Sequence, residues 1–308
     1  ENRDGKLYSM NYGKVSSANI DPVEKKPLFH FHPGSEVFSI GSIGCTFRCS
    51  HCQNYNISMA SLSEFGTRDM TRDEVCSIAM GNHCQGIAFT YNEPTIWHEF
   101  AYDTCKLAKE QGLYTVYVSN GYIQEAPLRE ISTHLDAMNI DIKGFTQEFY
   151  KGVCRAPLQP VLDATRLAHS LGIHIELTYL IIPGKNDSEK VIREFAAWCS
   201  DLDPRVPVHF RLQDDRCAAH SDQHDGDGQA HRGGGGTEVH LHGQCAHPSR
   251  RGHLLPQLWR LARGAGRVHR RLDEGAEWQV PALRRGPPHG AVRHRGGPSG
   301  AAAVRVMD

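Results

Sequence analysis

Short apolar, β-branched runs alternate with longer amphipathic segments from residue 36 to residue 210. The short runs are typical of strands, and the longer segments repeat their apolar positions with the period of a helix. Strands that alternate with helices favour a parallel sheet with right-handed crossovers. The pattern therefore predicts an α/β fold, an open six-stranded (β/α)6 partial TIM barrel. The predicted strands are EVFSIGS, GIAFTY, LYTVYVSN, AMNIDIK, HIELTYLII and VPVHF.

The segments between the strands carry helix start and stop signals. TRDEVCSIAM begins with Thr71 and has Glu74 three residues later, the spacing of a capping box, so Thr71 is a predicted helix start. PTIWHEFAYDTCKLAKEQG has Pro94 in its first turn and ends in Gly112. Three further segments follow the same plan, namely APLREISTHL, LQPVLDATRLAHSLG and DSEKVIREFAAWCSDL.

Polar loops follow five of the six predicted strands. In chain order these loops contain GCTFRCSHCQN, YNEPT, SNGY, DIKG and IPGKND. In parallel barrels, the side chains that do chemistry lie at the carboxyl ends of the strands. We therefore expect the five loops to meet on one rim of the barrel.

The first of these loops contains Cys45, Cys49 and Cys52 in a C-x3-C-x2-C arrangement. A structural zinc site takes four ligands, and an iron–sulfur cube usually takes four thiolates. Three thiolates leave one metal position open, and an open position is where a substrate or cofactor binds. The count indicates a reactive centre, with disulfide cysteines or a chance cluster as the alternatives at this point.

Composition narrows the class of protein. The chain has 308 residues, 10 Cys and a net charge of -1. The other seven cysteines lack paired spacing, and several fall on apolar helical faces, where a free Cys packs as a small hydrophobe. There is no apolar run of membrane-spanning length and no secretory leader, which favours a reduced, cytoplasmic setting. The near-neutral charge gives no reason to expect nucleic acid or an acidic membrane as a partner.

Residues 5–210 resemble the radical S-adenosylmethionine enzymes related to pyruvate formate-lyase activating enzyme, and in particular the branch named for its association with AMMECR and MEMO proteins. The stretches that carry the resemblance are NYGKVSSANIDPVEKKPLFHFHPGS, CTFRCSHCQNYNIS, FTYNEPT, IDIKG and LIIPGKND. The resemblance implies a [4Fe-4S] cluster on the three cysteines, with S-adenosylmethionine chelated by the open iron.

The same resemblance implies a reductive activity and a set of partners. The cofactor is cleaved to methionine and a 5′-deoxyadenosyl radical, which takes a hydrogen atom from a protein or small-molecule substrate. A flavodoxin- or ferredoxin-like protein supplies the electron, and AMMECR- or MEMO-type proteins are candidate partners. The alternative from another class is a non-catalytic iron–sulfur or zinc-binding scaffold that transfers electrons or only holds the loop.

The resemblance also implies cofactor contacts from the second and third loops. Glu93 stands where relatives contact the amino end of the cofactor, and a carboxylate there can accept charge-assisted hydrogen bonds from an ammonium. The alternative is a helix-entry residue next to Pro94, since acidic residues favour first turns. Ser119 and Asn120 can hydrogen-bond a ribose or a carboxylate.

The fourth and fifth loops contribute two further pairs. Asp141 and Lys143 lie two residues apart on a strand and so share one face, where they contact cofactor or substrate or form a structural ion pair. Gly184 and Asn186 bring the backbone close to an adenine or ribose, or form a simple turn with Asp187 as the helix cap.

Two histidines precede the first predicted strand, in the sequence FHFH. His30 and His32 alternate with aromatic residues, and this pattern favours a strand edge over a pair of metal ligands. We assign them no function from the sequence.

The composition changes abruptly at residue 211. From there to residue 308 the chain has no Lys, Ile, Phe, Tyr or Asn. Such a segment buries too little apolar area to offset its ordering entropy, so we expect an unstructured, low-complexity tail. The missing residue types favour a frameshift that destroyed a terminal zinc ribbon with two C-x-x-C knuckles, as found in the family. The alternative is a genuine basic tail whose histidines bind metals adventitiously, and sequencing the coding DNA decides between the two.

We also treat residues 1–35 as an N-terminal extension that is truncated. The chain starts at Glu1 without an initiating Met, whereas the resemblance implies a further cysteine-bearing segment upstream. The predicted organisation is therefore an extension, a barrel over 36–210 and an aberrant tail over 211–308.

Overall fold

The computed structural model describes residues 2–212 of the chain. A seven-stranded sheet is the centre of the fold, and two short antiparallel pairs, β1–β2 and β3–β6, lie outside it. The strands in chain order are β1 (Asn2–Arg3), β2 (Lys6–Leu7), β3 (Lys14–Val15), β4 (Ser17–Pro22), β5 (Glu36–Gly41), β6 (Arg68–Asp69), β7 (Gly86–Phe89), β8 (Tyr114–Ser119), β9 (Ala137–Ile142), β10 (His174–Ile181) and β11 (Val208–Leu212).

The large sheet has the order β11-β10-β9-β8-β7-β5-β4. Its strands from β5 to β11 pair in parallel, and β4 adds to the edge antiparallel to β5. The six parallel strands coincide with the six predicted from the sequence, so the α/β fold with an open partial barrel is confirmed. The sequence pattern did not predict β4. From residue 213 onward, the predicted tail lies outside the described residues.

Helices connect the strands and cover one face of the sheet. They are α1 (Tyr55–Ser58), α2 (Arg72–Gly81), α3 (His98–Glu110), α4 (Glu125–Ile131), α5 (Gln147–Phe149), α6 (Gln159–Ser170) and α7 (Glu189–Leu202). Short 3-10 turns occupy Val23–Lys25 and Pro94–Trp97, and a π-helical turn occupies Tyr150–Cys154. Within residues 2–212, no helix has the combination of length and apolar character needed to cross a membrane.

The helix termini follow the predicted caps with one exception. Thr71 caps α2 through a capping box, in which the Glu74 amide donates to the Thr71 hydroxyl at 3.2 Å and the Glu74 carboxylate accepts from the Thr71 amide at 2.7 Å. The prediction of Asp187 as the cap of α7 is wrong. Ser188 caps this helix by accepting from the Val191 amide at 3.3 Å, because Ser188 is the last extended residue before the helix.

The two faces of the sheet differ in character because successive side chains of a strand point to opposite sides. The outer face is apolar and packs under the helices, and its core includes Ile40, Phe89, Tyr117, Ile140 and Leu177. The inner face carries small and polar side chains, among them Ser39, Ala88, Asn139, Glu176 and Thr178, all buried. A polar inner face gives the barrel the means to bind charged groups.

The segment from residue 23 to residue 35 covers the inner face near the amino ends of the strands. Val23 and Leu28 are fully buried there and pack in a cluster with Val116 and Ala137. The strand-edge interpretation of His30 and His32 is wrong, because bends and turns surround both residues and no strand is formed there. Pro33 and Gly34 interrupt any strand, and the amides of residues 29 and 30 donate to a side chain instead of to a neighbouring strand.

Eight cysteines lie in the described part of the chain, and all eight are free thiols. Five of them are buried, as expected for small hydrophobes, namely Cys76, Cys84, Cys105, Cys154 and Cys199. Cys217 and Cys245 lie outside the described residues.

Candidate functional site

The cysteine loop follows β5 at the carboxyl end of the parallel strands. Cys45, Cys49 and Cys52 are half-buried on this loop. Within residues 2–212, their Sγ atoms do not converge to within 4.8 Å of one another. A single zinc ion would hold its sulfur ligands about 3.8 Å apart, given Zn–S bonds of about 2.3 Å. As placed, the three sulfur atoms do not all lie at the separations that one zinc ion requires.

The loop that follows β7 fastens one side of the cysteine loop. Asn92 donates to the Gly44 carbonyl at 2.9 Å and accepts from the Ser42 amide at 3.2 Å. Asn54 donates to the Tyr91 carbonyl at 2.6 Å. Tyr91 has a φ of 73°, a left-handed conformation that is costly for a bulky residue and persists only where the surroundings fix it. These contacts hold the entry and exit of the cysteine loop.

The π-helical turn Tyr150–Cys154 fastens the other side. The Arg48 and Ser50 amides donate to the Cys154 and Val153 carbonyls at 3.1 and 3.0 Å. The Cys154 thiol shares a hydrogen bond with Cys49, and this bond together with burial raises the pKa of Cys49. Cys154 was not predicted as part of the site, because no sequence spacing relates a residue on this turn to the cysteine loop.

Asn120 joins the end of β8 to the cysteine loop. Its side-chain amide lies 3.6 Å from Cys45 Sγ and donates to Thr46 Oγ1 at 2.9 Å. The Phe47 amide lies 3.4 Å from the same sulfur. Burial, and then the nearby Glu93 carboxylate, raise the pKa of Cys45 to about 12. A metal at Cys45 must displace that proton, and the two N–H groups are placed to stabilise the resulting thiolate.

Glu93 is buried and its carboxylate binds protein groups. Oε1 accepts from the Thr95 amide at 3.0 Å, the Thr95 hydroxyl at 2.6 Å and the Ser119 hydroxyl at 2.8 Å. Oε2 accepts from the Asn120 amide at 2.8 Å. Burial raises the pKa of Glu93. The residue thus caps the turn that leads into α3 and links it to β8. A ligand ammonium can reach only the remaining lone pair of Oε2 unless one of these donors moves.

Asp141 lies on β9 and Lys143 is the first residue after this strand, and their charged groups lie 2.6 Å apart. Burial opposes the charge on Lys143, but Asp141 and the Cys49 sulfur outweigh it and raise the pKa of Lys143. Burial, and next the Lys143 ammonium, lower the pKa of His51 to about 4, so this imidazole is neutral. Lys143 therefore places a fixed positive charge beside the cysteine loop.

Asn186 connects the ends of β9 and β10. Its side chain donates to the Lys143 and Leu180 carbonyls at 2.7 Å each and accepts from the Ile182 amide at 2.7 Å. Only 3% of the surface of Asn186 is exposed, and both ends of its side chain are hydrogen-bonded within the protein. Gly184 adopts a φ of 75°, which glycine takes without strain. These contacts match the simple-turn alternative.

The five polar loops lie at one rim and form two hydrogen-bonded groups. Asn92 and Asn120 connect the second and third loops to the cysteine loop, and Asn186 connects the fifth loop to the fourth at Lys143. The sequence predicted which loops meet. The sequence did not predict that Asn54 and Asn92 hold the cysteine loop. Their partners are backbone groups, which leave no pattern in the sequence.

Comparisons with known proteins agree with this geometry. The Radical SAM superfamily model matches residues 39–196. A protein of Methanocaldococcus jannaschii is 47% identical over 211 residues, which are 68% of this chain and 62% of that protein. The pyruvate formate-lyase-activating enzyme of Clostridium pasteurianum is 28% identical over 160 residues, which are 50% of this chain and 65% of that enzyme.

Among solved structures, a domain of a pyruvate-formate lyase-activating enzyme from Bacteroides vulgatus matches with a TM-score of 0.41 and 19% identity, over 57% of this chain and 93% of that domain. The chain spans less than two thirds of the length of the two curated relatives, 62% and 65%. The superfamily model covers more than half of the chain, from within β5 into α7. The chain belongs to the radical SAM superfamily.

Proposed function

We propose that the chain is a radical S-adenosylmethionine enzyme of the activating-enzyme type, with a [4Fe-4S] cluster on Cys45, Cys49 and Cys52. When bound, the cluster and S-adenosylmethionine supply one-electron reductive cleavage of the sulfonium carbon–sulfur bond, which gives methionine and a 5′-deoxyadenosyl radical that takes a hydrogen atom from a substrate. The observation that carries the proposal is the placement of three free thiols on one loop at the carboxyl end of the parallel strands, in a chain of the radical SAM superfamily.

The residues of the rim orient and enclose this chemistry. The N–H groups beside Cys45 stabilise a ligating thiolate, and Lys143 adds a positive charge near Cys49. Because the fold already holds these N–H groups and the Lys143 ammonium in place, they need not move when the charge on the cysteine loop changes. Asp141, paired with Lys143, presents a carboxylate to the inner face, where an ammonium or a ribose of the cofactor can bind.

Glu93, Ser119 and Asn120 lie where the cofactor would bind, but most of their hydrogen-bonding groups are already used within the protein. All three residues are buried, and the Glu93 carboxylate accepts from the Ser119 hydroxyl and from the Asn120 backbone amide. We assign Ser119 and Asn120 to contacts with the ribose or carboxylate, and the Gly184–Asn186 loop to the adenine side. Each assignment rests on the position of the loop at the rim.

The context of the enzyme is part of the same proposal. The resemblance to the AMMECR- and MEMO-associated branch favours a protein or small-molecule C–H bond as the target, with those proteins as partners. A flavodoxin- or ferredoxin-like donor supplies the electron. We place the chain in the cytoplasm, because the eight described cysteines are all free thiols and a reducing compartment preserves them.

Anaerobic reconstitution of the full chain with iron and sulfide tests the proposal. We expect about four irons per chain, as a [4Fe-4S] cluster requires. The electron paramagnetic resonance spectrum of the reduced cluster should change when S-adenosylmethionine is added, and 5′-deoxyadenosine should accumulate. An intact cluster that gives neither the spectral change nor the product under strong reductant indicates the non-catalytic scaffold instead.

A further inference from the structure

The amino end of the barrel contains a second group of ligand side chains. Glu176 and His209 lie near the starts of β10 and β11, and His30 comes from the segment that covers the inner face. Glu176 Oε2 is 2.7 Å from His209 Nε2 and 3.1 Å from His30 Nδ1. The three ligand atoms all lie within 4.8 Å of one another, and within residues 2–212 they are the one such group of His, Cys, Asp and Glu.

We propose that His30, Glu176 and His209 bind a divalent transition-metal ion of the zinc class. Two imidazole nitrogens and one carboxylate oxygen are the donors that zinc prefers, whereas calcium and magnesium require oxygen ligands. Bonds of about 2.0–2.1 Å in a tetrahedron separate the ligand atoms by about 3.3 Å. The distances from Glu176 Oε2 to the two imidazole nitrogens reach that value with movements of less than about 1 Å, and a water molecule completes the tetrahedron.

The carboxylate is already oriented for this role. The His30 amide donates to Glu176 Oε1 at 2.8 Å, the Phe29 amide donates to Oε2 at 3.1 Å, and His174 Nε2 lies 3.0 Å from Oε1. These contacts fix the position of the carboxylate against the two imidazoles.

The site is reachable from solvent and distant from the rim. The side chain of His30 is 40% exposed, while that of Glu176 is fully buried. Glu176 is the third residue of β10, and the rim loop begins after Ile181, about 17 Å further along the strand at about 3.3 Å per residue. An ion here would join β10 and β11 to the segment of residues 23–35, and so fasten the cover of the inner face.

The test uses the full chain with its iron–sulfur cluster reconstituted, so that the rim cysteines are occupied. Zinc chloride is titrated calorimetrically into wild type, His30→Ala, Glu176→Gln, His209→Ala and the control His174→Ala. His174 also contacts the Glu176 carboxylate, but it is not one of the three proposed ligands. His30→Ala is the key variant, because an exposed side chain can be removed without opening the core. Zinc X-ray absorption then identifies the ligand atoms.

We expect wild type and His174→Ala to bind one zinc tightly, with a rise in melting temperature and with only nitrogen and oxygen neighbours. His30→Ala should bind that zinc at least about 100-fold more weakly and lose the thermal shift, as expected when a ligand is removed. Sulfur neighbours, or equal binding and equal thermal shift in His30→Ala and wild type, would overturn the proposal. Loss of binding in His174→Ala to the same degree would overturn the three-ligand assignment.

Discussion

The two ends of the barrel hold ligand side chains in opposite ways. At the carboxyl end, three thiols lie on one short loop, and their sulfur atoms do not all lie within 4.8 Å of one another. At the amino end, two imidazoles and a carboxylate come from three segments that are far apart in the sequence, and they converge tightly. The spacing of the cysteines along the chain therefore predicts the first group of ligands. The second group forms only when the chain folds, and no spacing in the sequence predicts it.

The two ends also differ in the protonation and hydrogen bonding of their ligand side chains when no metal is bound. The Glu176 carboxylate already accepts from two amides and three imidazoles, so its buried charge is satisfied by hydrogen bonds. Burial and neighbouring groups raise the pKa values of Cys45 and Cys49, so these thiols stay protonated until a metal displaces the protons. Changes at the carboxyl end should thus affect activity, and changes at the amino end should affect stability.

The largest expected effect is the loss of the cluster in Cys49→Ala. Removing one of three thiolates leaves two irons without a protein ligand, so we expect iron content and 5′-deoxyadenosine formation to fall to the level of cluster-free protein. Iron assay and chromatography measure both quantities. Cys84→Ala is the matched control, because Cys84 is a buried thiol outside the loop. Equal iron loss in the two variants would show that the effect is general and not due to ligation.

Glu176→Gln should give the next largest effect, on stability alone. Replacing the charge leaves an amide that faces several donors, which costs about 3 kcal/mol of unfolding free energy. Denaturant unfolding in the presence of a chelator measures it. Glu110→Gln, at an exposed position on α3, should change the unfolding free energy by less than about 0.5 kcal/mol. A Glu176→Gln chain that keeps its stability, or that fails to assemble the cluster, would contradict the separation of the two ends.

Asn120→Ala should lower the rate of cofactor cleavage about tenfold, the value of one hydrogen bond to a charged sulfur. The iron content should stay the same, because all three thiols remain. Single-turnover formation of 5′-deoxyadenosine measures the rate. Asn82→Ala is the control, since it removes an exposed amide that donates to the Ile78 carbonyl on the surface of α2. An unchanged rate in Asn120→Ala would remove this residue from the support of the cluster.

The smallest expected effect concerns the contact between the two ends. Asp21 on β4 accepts from Tyr91 of the rim at 3.2 Å and pairs with Lys25 and Lys26. Burial opposes the charge on Asp21, but the two lysines outweigh it and lower its pKa to about 2. A lowered folded-state pKa stabilises the protein above the unfolded value near about 3.9, and this stability disappears as the pH falls from about 4 to 2.

Asp21→Asn should therefore reduce the unfolding free energy by about 1 kcal/mol at pH 7. The difference from wild type should shrink as the pH falls below about 4, and denaturant unfolding across that range measures it. A difference that grows toward low pH would mean that Asp21 is not stabilised as a carboxylate.

Much of the fold followed from local patterns. The six parallel strands and the capping box at Thr71 were predicted because each depends on residues close in sequence. Ser188, and not Asp187, caps α7, because a cap is decided by the residue at which the backbone turns into the helix. The antiparallel strand β4 was not predicted, because its polar sequence lacks the pattern of a strand. Its extended conformation depends on pairing with β5.

The sequence by itself determined the parallel barrel, the three-cysteine loop and the meeting of five polar loops on one rim. Each of these depends on spacing along the chain or on the rule that parallel strands end at the same edge. Only the tertiary structure decided that Cys154 lies against Cys49 and that His30, Glu176 and His209 converge. Residues on separate strands and turns meet through packing and register, and a single chain carries no local signal of that proximity.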